Sequence, residues 1–290
     1  MTAGRVLKGI QFSHPGGATP MLLDLYLPTG SEAGGSGFPA VLHFHGGGWL
    51  TGERSSLGPT VDGFGLSPIE QLVDAGFVVA SADYRLSTAA TFPAQLLDAK
   101  AAVRWLRSHA AEYNVDPGRI YAWGDSAGGH LASLAGLTGG ARNFHESGNN
   151  TDDGVAAVAA WYPPTDLNRM GRQARADAIA RADDPGSREA LLIGAQPADA
   201  PDLAAAASPI TYVHPKAPPF LLVHGTADRY VPAAQSTSFA AALEGAGAAV
   251  ELLLIDGADH MWSQPGGSSA AARQATAATI DFFRRQAQAH

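Results

Sequence analysis

The run Trp123-Gly124-Asp125-Ser126-Ala127-Gly128-Gly129-His130 contains Gly-x-Ser-x-Gly, directly after the apolar stretch Ile120–Trp123 and directly before a helical pattern. A serine on such a strand-to-helix turn sits in strained backbone, and flanking glycines let neighbouring chain pass close by. The start of the following helix also favours negative charge developing nearby. Upstream, His45-Gly46-Gly47-Gly48-Trp49 follows the strand-like Ala40–Phe44. Consecutive glycines leave backbone N–H groups free to converge on one point, as an oxyanion requires. Alone, the first motif is also a tight turn with a capping serine, and the second a flexible glycine loop. Together, in this order, they point to acyl transfer through a serine nucleophile.

On these residues the chain resembles the α/β-hydrolase esterases of the hormone-sensitive-lipase-like branch. Within that branch it is most similar to small bacterial esterases related to feruloyl and acetyl-xylan esterases. The similarity extends through Asp83-Tyr84-Arg85-Leu86, Phe92-Pro93-Ala94-Gln95, Ser208-Pro209-Ile210-Thr211-Tyr212 and Pro218 to Asp228, and covers most of the chain from about Leu22. It implies an α/β-hydrolase fold, no cofactor, and a small-molecule ester as partner. It also assigns the oxyanion donors to the N–H groups of Gly47, Gly48 and Ala127. One departure is the polar loop Gly139–Gly154, longer than the resemblance leads one to expect.

In this fold the triad runs Ser, then Asp or Glu, then His. Phe220–Val223 reads as a late strand, followed by His224-Gly225-Thr226-Ala227-Asp228. Of ten histidines only His260 and His290 lie beyond Asp228, and His290 is the last residue. His260 therefore reads as the base. Asp256 and Asp259 rival Asp228 as its partner, but Asp259 is adjacent in sequence and should point away from the imidazole. In these roles His260 takes the Ser126 proton, and Asp228 holds the imidazole tautomer and stabilises the imidazolium.

Other residues read as support. His43, His130 and His224 are expected to be packed, capping or bracing. Trp49, Trp161, Tyr162, Tyr230 and Trp262 flank strand ends and are candidates to line a substrate pocket. No His pairing of metal-ligand type and no phosphate-loop Gly-Lys-Ser/Thr occurs, so no metal is expected. Gly35-Ser36-Gly37-Phe38-Pro39-Ala40 imitates a dinucleotide fingerprint but precedes a strand and contains proline. Asn149-Asn150-Thr151 is a formal glycosylation site, relevant only to a secreted protein.

The elements that must position these groups follow from hydrophobic patterning. Ile10–Ser13 and Met21–Leu27 read as an antiparallel pair. Ala40–Phe44, Phe77–Ala82, Ile120–Trp123, Val155–Trp161, Phe220–Val223 and Val250–Ile255 are short apolar runs suited to strands buried on both faces. Between them, Pro93–Tyr113 carries one apolar stripe at Leu96, Ala99, Val103, Leu106, Ala110 and Tyr113, and Asp116-Pro117-Gly118 should end the connection before the next strand. The expectation is one α/β domain over 1–290, with a mostly parallel eight-stranded sheet and helices on both faces. Residues 166–215 are too long for a plain connection. Their Ala/Arg pattern suggests one or two small helices, a cap-like insertion over the carboxyl edge of the sheet.

Composition narrows the function further. Of 290 residues 46% are apolar and 16% charged, and 19 basic against 27 acidic side chains leave a net charge of −8. Nucleic acid and anionic membrane both need clustered cations, whereas the three lysines, Lys8, Lys100 and Lys216, are scattered. Zero cysteines exclude a disulfide scaffold and a thiol nucleophile. With no signal-like or membrane-length segment, a cytoplasmic enzyme is expected. Little chain precedes the first strand, so the insertion, together with the loop Gly139–Gly154, should supply whatever covers Ser126. Its central part, Arg172–Pro185, is Ala, Arg and Asp with one Ile, a poor lining for a long acyl chain. The leading expectation is a carboxylesterase for short-chain, acetyl or feruloyl esters. An aryl formamidase-type amidase on the same fold is the alternative, and a binding module that has lost its triad is disfavoured because Ser126, Asp228 and His260 are all present.

Overall fold

The structure, a computed structural model, describes residues 4–16, 19–29, 37–62, 67–141, 144 and 152–289. Eight strands form one sheet in the order β1-β2-β4-β3-β5-β6-β7-β8. They are β1 (Arg5–Ser13), β2 (Met21–Leu27), β3 (Phe38–Phe44), β4 (Val78–Ala82), β5 (Val115–Asp125), β6 (Val158–Trp161), β7 (Phe220–Gly225) and β8 (Val250–Ile255). β2 runs antiparallel to β1 and β4, and the pairings from β4 through β8 are parallel. The central strands carry no polar alternation because both faces are covered: every residue of β4, β6 and β7 is buried.

The helices are α1 (Pro59–Asp62), α2 (Pro68–Asp74), α3 (Ala94–Ser108), α4 (Ala127–Leu137), α5 (Leu167–Gln173), α6 (Arg188–Ile193), α7 (Pro201–Ala206), α8 (Ala234–Gly245) and α9 (Ala270–Gln288). Alternate strand residues feed two cores on opposite faces of the sheet. Ala40, Leu42, Phe44, Val158 and Ala160 pack with α3, α4 and α8. Val41, Val79, Ala159 and Trp161 pack with α2 and α9. Among the described residues no helix is long and apolar enough to cross a membrane.

Several expected boundaries shift. β1 begins at Arg5, earlier than the apolar signal at Ile10, because its N-terminal part is held by pairing with β2 and stays largely exposed at the sheet edge. The helix expected over 93–113 ends at Ser108. Asp116-Pro117-Gly118 does not end the connection but lies inside β5. There Phe38 pairs with Val115 and Ala40 already pairs with Ile120, so the turn residues form an irregularity within the strand. Residues 166–215 hold three short α-helices, α5 to α7, and a 3₁₀ turn at Pro209–Tyr212, more than the one or two expected. Most of the loop 139–154, its glycosylation sequence, residue 290 and part of the 35–40 glycine run lie outside the described residues. At the base of that loop Asp153 is buried and accepts from Lys100 Nζ at 3.0 Å.

Candidate active site

The carboxyl end of β5 delivers Asp125, and the chain then reverses direction into α4 through Ser126 at φ 52°, ψ −116°. A non-glycine residue there costs on the order of 1–3 kcal/mol and persists only where neighbours over-determine it. Here the Ser126 N–H donates to the Trp161 carbonyl at 2.8 Å, and its carbonyl accepts from His130 N–H at 2.9 Å. The tight turn also explains Gly128, since a Cβ at that position would meet the Phe44 carbonyl of β3.

The loop after β7 brings in Asp228, and the turn after β8 brings in His260. His260 Nδ1 lies 2.7 Å from Asp228 Oδ2, and Nε2 lies 3.1 Å from Ser126 Oγ. An ionised carboxylate only accepts, so Nδ1 carries the proton and Nε2 accepts from the Ser126 hydroxyl. Burial would push the Asp228 carboxyl up, but the His260 imidazole and hydrogen bonds from His224 and His260 outweigh it, holding Asp228 well below the usual carboxylate range. Its Oδ1 accepts two backbone N–H bonds, from Tyr230 and Val231, each 2.8 Å. His224 braces the same loop by donating from Nε2 to the Val231 carbonyl at 2.9 Å. The rival acids are engaged elsewhere: Asp259 accepts from Arg229 Nε at 2.6 Å, and Asp256 from Thr226 Oγ1 at 3.0 Å.

Opposite the serine, the glycine loop leaves β3. The Gly46 N–H donates to Asp125 Oδ1 at 3.1 Å, and His45 Nδ1 donates to the Gly46 carbonyl at 2.7 Å beneath a stacked Tyr84 ring. Gly47 and Gly48 adopt φ 110° and 63°, values that favour glycine. Among the described residues, the N–H groups of Gly47, Gly48 and Ala127 have no protein acceptor. Trp49 ties the loop down, its Nε1 donating to His130 Nδ1 at 3.2 Å, while His130 Nε2 donates to the Ala207 carbonyl at 2.6 Å. Burial lowers the His130 imidazole to about 4.

A cavity of about 650 Å³ opens over Ser126 and His260 and includes Trp49 and Tyr230 in its lining. Trp161 and Trp262 are not in it. Both lie in the core beneath α9, where Trp161 Nε1 donates to Thr279 Oγ1 at 2.9 Å and the two indoles stack edge to face. Strand pleating decides this: Trp161 alternates with Ala160, which faces the other core. Tyr162 is buried behind the base, its ring 4.4 Å from the His260 ring. Further walls come from the segment after the oxyanion loop, including Leu50 and Leu57, and from the insertion through Met170, Ile179, Arg181, Arg188, Glu189 and Leu191, none of which the sequence singles out. Helices this short give no periodicity to follow. Among the described residues no group of three His, Cys, Asp or Glu is placed to hold a metal ion.

The BD-FAE family model matches residues 23–243, most of the chain. The chain belongs to the BD-FAE family. Among sequence relatives of this BD-FAE chain, the esterase LipQ of Mycobacterium tuberculosis is 36% identical over 212 residues, which are 73% of this chain and 47% of that protein. A probable isoprenylcysteine alpha-carbonyl methylesterase of Arabidopsis thaliana is 26% identical, covering 82% of this chain and 48% of its own length. The chain thus spans about half the length of these relatives. Among solved structures, a truncated carbohydrate esterase from gut microbiota superposes with TM-score 0.83 at 30% identity, covering 99% of this chain and 98% of that one. Thermogutta terrifontis esterase 2 phosphorylated by paraoxon gives TM-score 0.74 at 26% identity, covering 98% and 94%. The sheet order and these neighbours make this BD-FAE member an α/β-hydrolase.

Proposed function

We propose that this chain is a serine carboxylesterase acting on short-chain esters, with Ser126 as nucleophile, His260 as general base and Asp228 as the group that orients it. The observation that carries the reading is the hydrogen-bond relay from Ser126 Oγ through His260 to Asp228, at the floor of a cavity that also holds unpaired N–H donors. Ser126 Oγ attacks the ester carbonyl as its proton passes to His260 Nε2, and the carbonyl electron pair moves onto oxygen. Gly47, Gly48 and Ala127 N–H groups receive that oxyanion. Collapse expels the alcohol, which takes the proton from Nε2, and leaves an acyl-serine. Water then repeats the sequence, with His260 again as base, and releases the acid. Throughout, the depressed Asp228 carboxyl stays ionised and stabilises the imidazolium.

The residues 166–215 act as the cap. Their contribution to the lining mixes Met170, Ile179 and Leu191 with charged side chains, so a long acyl chain finds no continuous apolar wall. Each methylene left unburied forfeits roughly 0.8 kcal/mol. Turnover is expected to be best from acetyl to butyryl and to fall steeply by octanoyl. With Trp161 and Trp262 in the core, a feruloyl ring would have to stack on Tyr230 or Trp49. The carbohydrate-esterase neighbour makes acetylated sugars the first natural class to assay. A cytoplasmic setting belongs to the same proposal.

One experiment tests the whole reading. Paraoxon should add its phosphoryl mass to the peptide containing Ser126 and abolish turnover of a 4-nitrophenyl ester. Labelling that persists in Ser126→Ala contradicts it, and a higher kcat/KM on an N-formyl aryl amine than on the matched aryl formate ester would move the assignment to an amidase.

A further inference from the structure

The cavity holds a charge that this mechanism does not use. Arg188, at the start of α6, is part of the lining that includes Ser126 and His260. Its stem lies across the oxyanion loop, where a Cβ on Gly48 would meet Arg188 Cδ and Nε. Its guanidinium stands 6.0 Å from the Tyr230 ring centroid, and that ring is 5.3 Å from the His260 ring. The exposed Arg188 side chain thus lies over the oxyanion loop and beside Tyr230, the ring that neighbours the base. Glycine at position 48 is what admits the arginine stem.

The surrounding charges leave it unspent. The other arginine of the lining, Arg181, is tied to Asp183 by two hydrogen bonds of 3.0 Å. Arg188 makes no ion pair among the described residues. Three carboxyls share the cavity wall with it, Asp125, Asp184 and Glu189, and Asp125 is engaged by the Gly46 N–H. Asp184 is exposed, and burial pushes the Glu189 carboxyl up from its ordinary value. A guanidinium presents a planar fork of donors that matches a carboxylate in two parallel hydrogen bonds.

We propose that Arg188 is a specificity-determining residue that selects esters bearing a carboxylate near the scissile bond. The inference rests on the esterase reading above. The carboxylate reaches Arg188 either from the acyl side, as in the half-ester of a dicarboxylic acid, or from the alcohol side, as in an acylated hydroxy acid.

Two matched pairs separate these sources: 4-nitrophenyl hemiglutarate against 4-nitrophenyl valerate, and 4-acetoxybenzoate against 4-acetoxybenzamide. After subtraction of spontaneous hydrolysis, wild-type protein should favour the anionic member of one pair in kcat/KM. Arg188→Gln should lower that anionic-to-neutral ratio about tenfold or more, mainly through KM, and Arg188→Lys should keep part of it. Added salt should lower the wild-type ratio and leave that of Arg188→Gln flat. Paraoxon labelling of Ser126 reports that each variant is folded. A ratio unchanged by Arg188→Gln in both pairs, or a wild-type preference for both neutral esters, overturns the proposal while the esterase reading stands. If wild-type protein hydrolyses none of the four, the esterase reading fails and this inference with it.

Discussion

The carboxyl ends of β3, β5, β7 and β8 and the insertion above them are built by opposite means. At the sheet, each group is held by several constraints at once. Ser126 is pinned at φ 52° between hydrogen bonds to Trp161 and His130. Asp228 takes two backbone N–H bonds besides His260, and Gly46 is tied to Asp125. In the insertion, α5, α6 and α7 are six or seven residues long. Arg175–Asp177 and Arg181–Asp183 there are pairs of partly exposed side chains two residues apart. Over-determined geometry suits bond making, where a misplacement of about 1 Å can cost a hundredfold. A loosely specified roof suits selectivity, because its side chains can change without moving the nucleophile.

Breaking the sheet-borne half should have the largest consequence. Ser126→Ala is expected to cut kcat for 4-nitrophenyl butyrate by roughly four orders of magnitude or more, with the fold intact by circular dichroism. Residual activity within a hundredfold of wild type would mean that another group attacks the ester. Asp228→Asn should come next, at roughly three to four orders of magnitude, since an amide cannot hold the imidazole tautomer or balance the imidazolium. Asp259→Asn loses the Arg229 contact instead and should stay within about tenfold. If Asp259→Asn proves the more damaging of the two, the acid has been misassigned.

The same contrast explains what could be read from the sequence. Residues in strand ends and tight turns leave marks: Val250–Ile255 matches β8 to the residue, and Gly128 beside Ser126 answers to a real approach of the Phe44 carbonyl. Asp228 follows from chain order, and its carboxylate lies 2.7 Å from His260 Nδ1. Trp161 did not follow, because a strand buried on both faces has no polar alternation to say which way an indole points. One residue of register separates the core packed by α3, α4 and α8 from the core beneath α9. Arg188 was out of reach for another reason. Its position depends on how the short α6 sits over Gly48, a long-range contact with no local periodicity behind it.

His130 joins the two regions and predicts a pH effect of intermediate size. It accepts from Trp49 in the oxyanion loop and donates to Ala207 at the end of the insertion. Burial lowers it from its ordinary 6.5 to about 4. Between those values the folded state binds fewer protons than the unfolded chain, so stability falls as pH drops through the window and the loss levels off below it. For this one group the total is roughly 3 kcal/mol. His130→Phe should be less stable than wild type at pH 8, because the Trp49 indole and Ala207 carbonyl lose their partner. Chemical denaturation should show that gap narrowing towards pH 5. A gap that stays constant from pH 8 to 5 would mean that His130 does not carry the proton linkage.

The smallest effect belongs to the insertion's own ion pairs. Arg175 and Asp177 meet at 2.8 Å, yet their side chains are 40% and 57% exposed. Water already solvates both charges, and holding two long side chains in one geometry costs entropy that the Coulomb gain barely covers. The hydrogen bonds of Arg175 lower the Asp177 carboxyl, but on a side chain so open to water that shift says little about folding. Asp177→Asn should therefore move Tm by less than about 1 °C and leave kcat/KM for 4-nitrophenyl butyrate within about twofold. Neither residue belongs to the cavity lining. A loss of several degrees would show that this pair holds the roof in place. The insertion would then be as tightly determined as the sheet beneath it, and the division drawn between the two regions would fail.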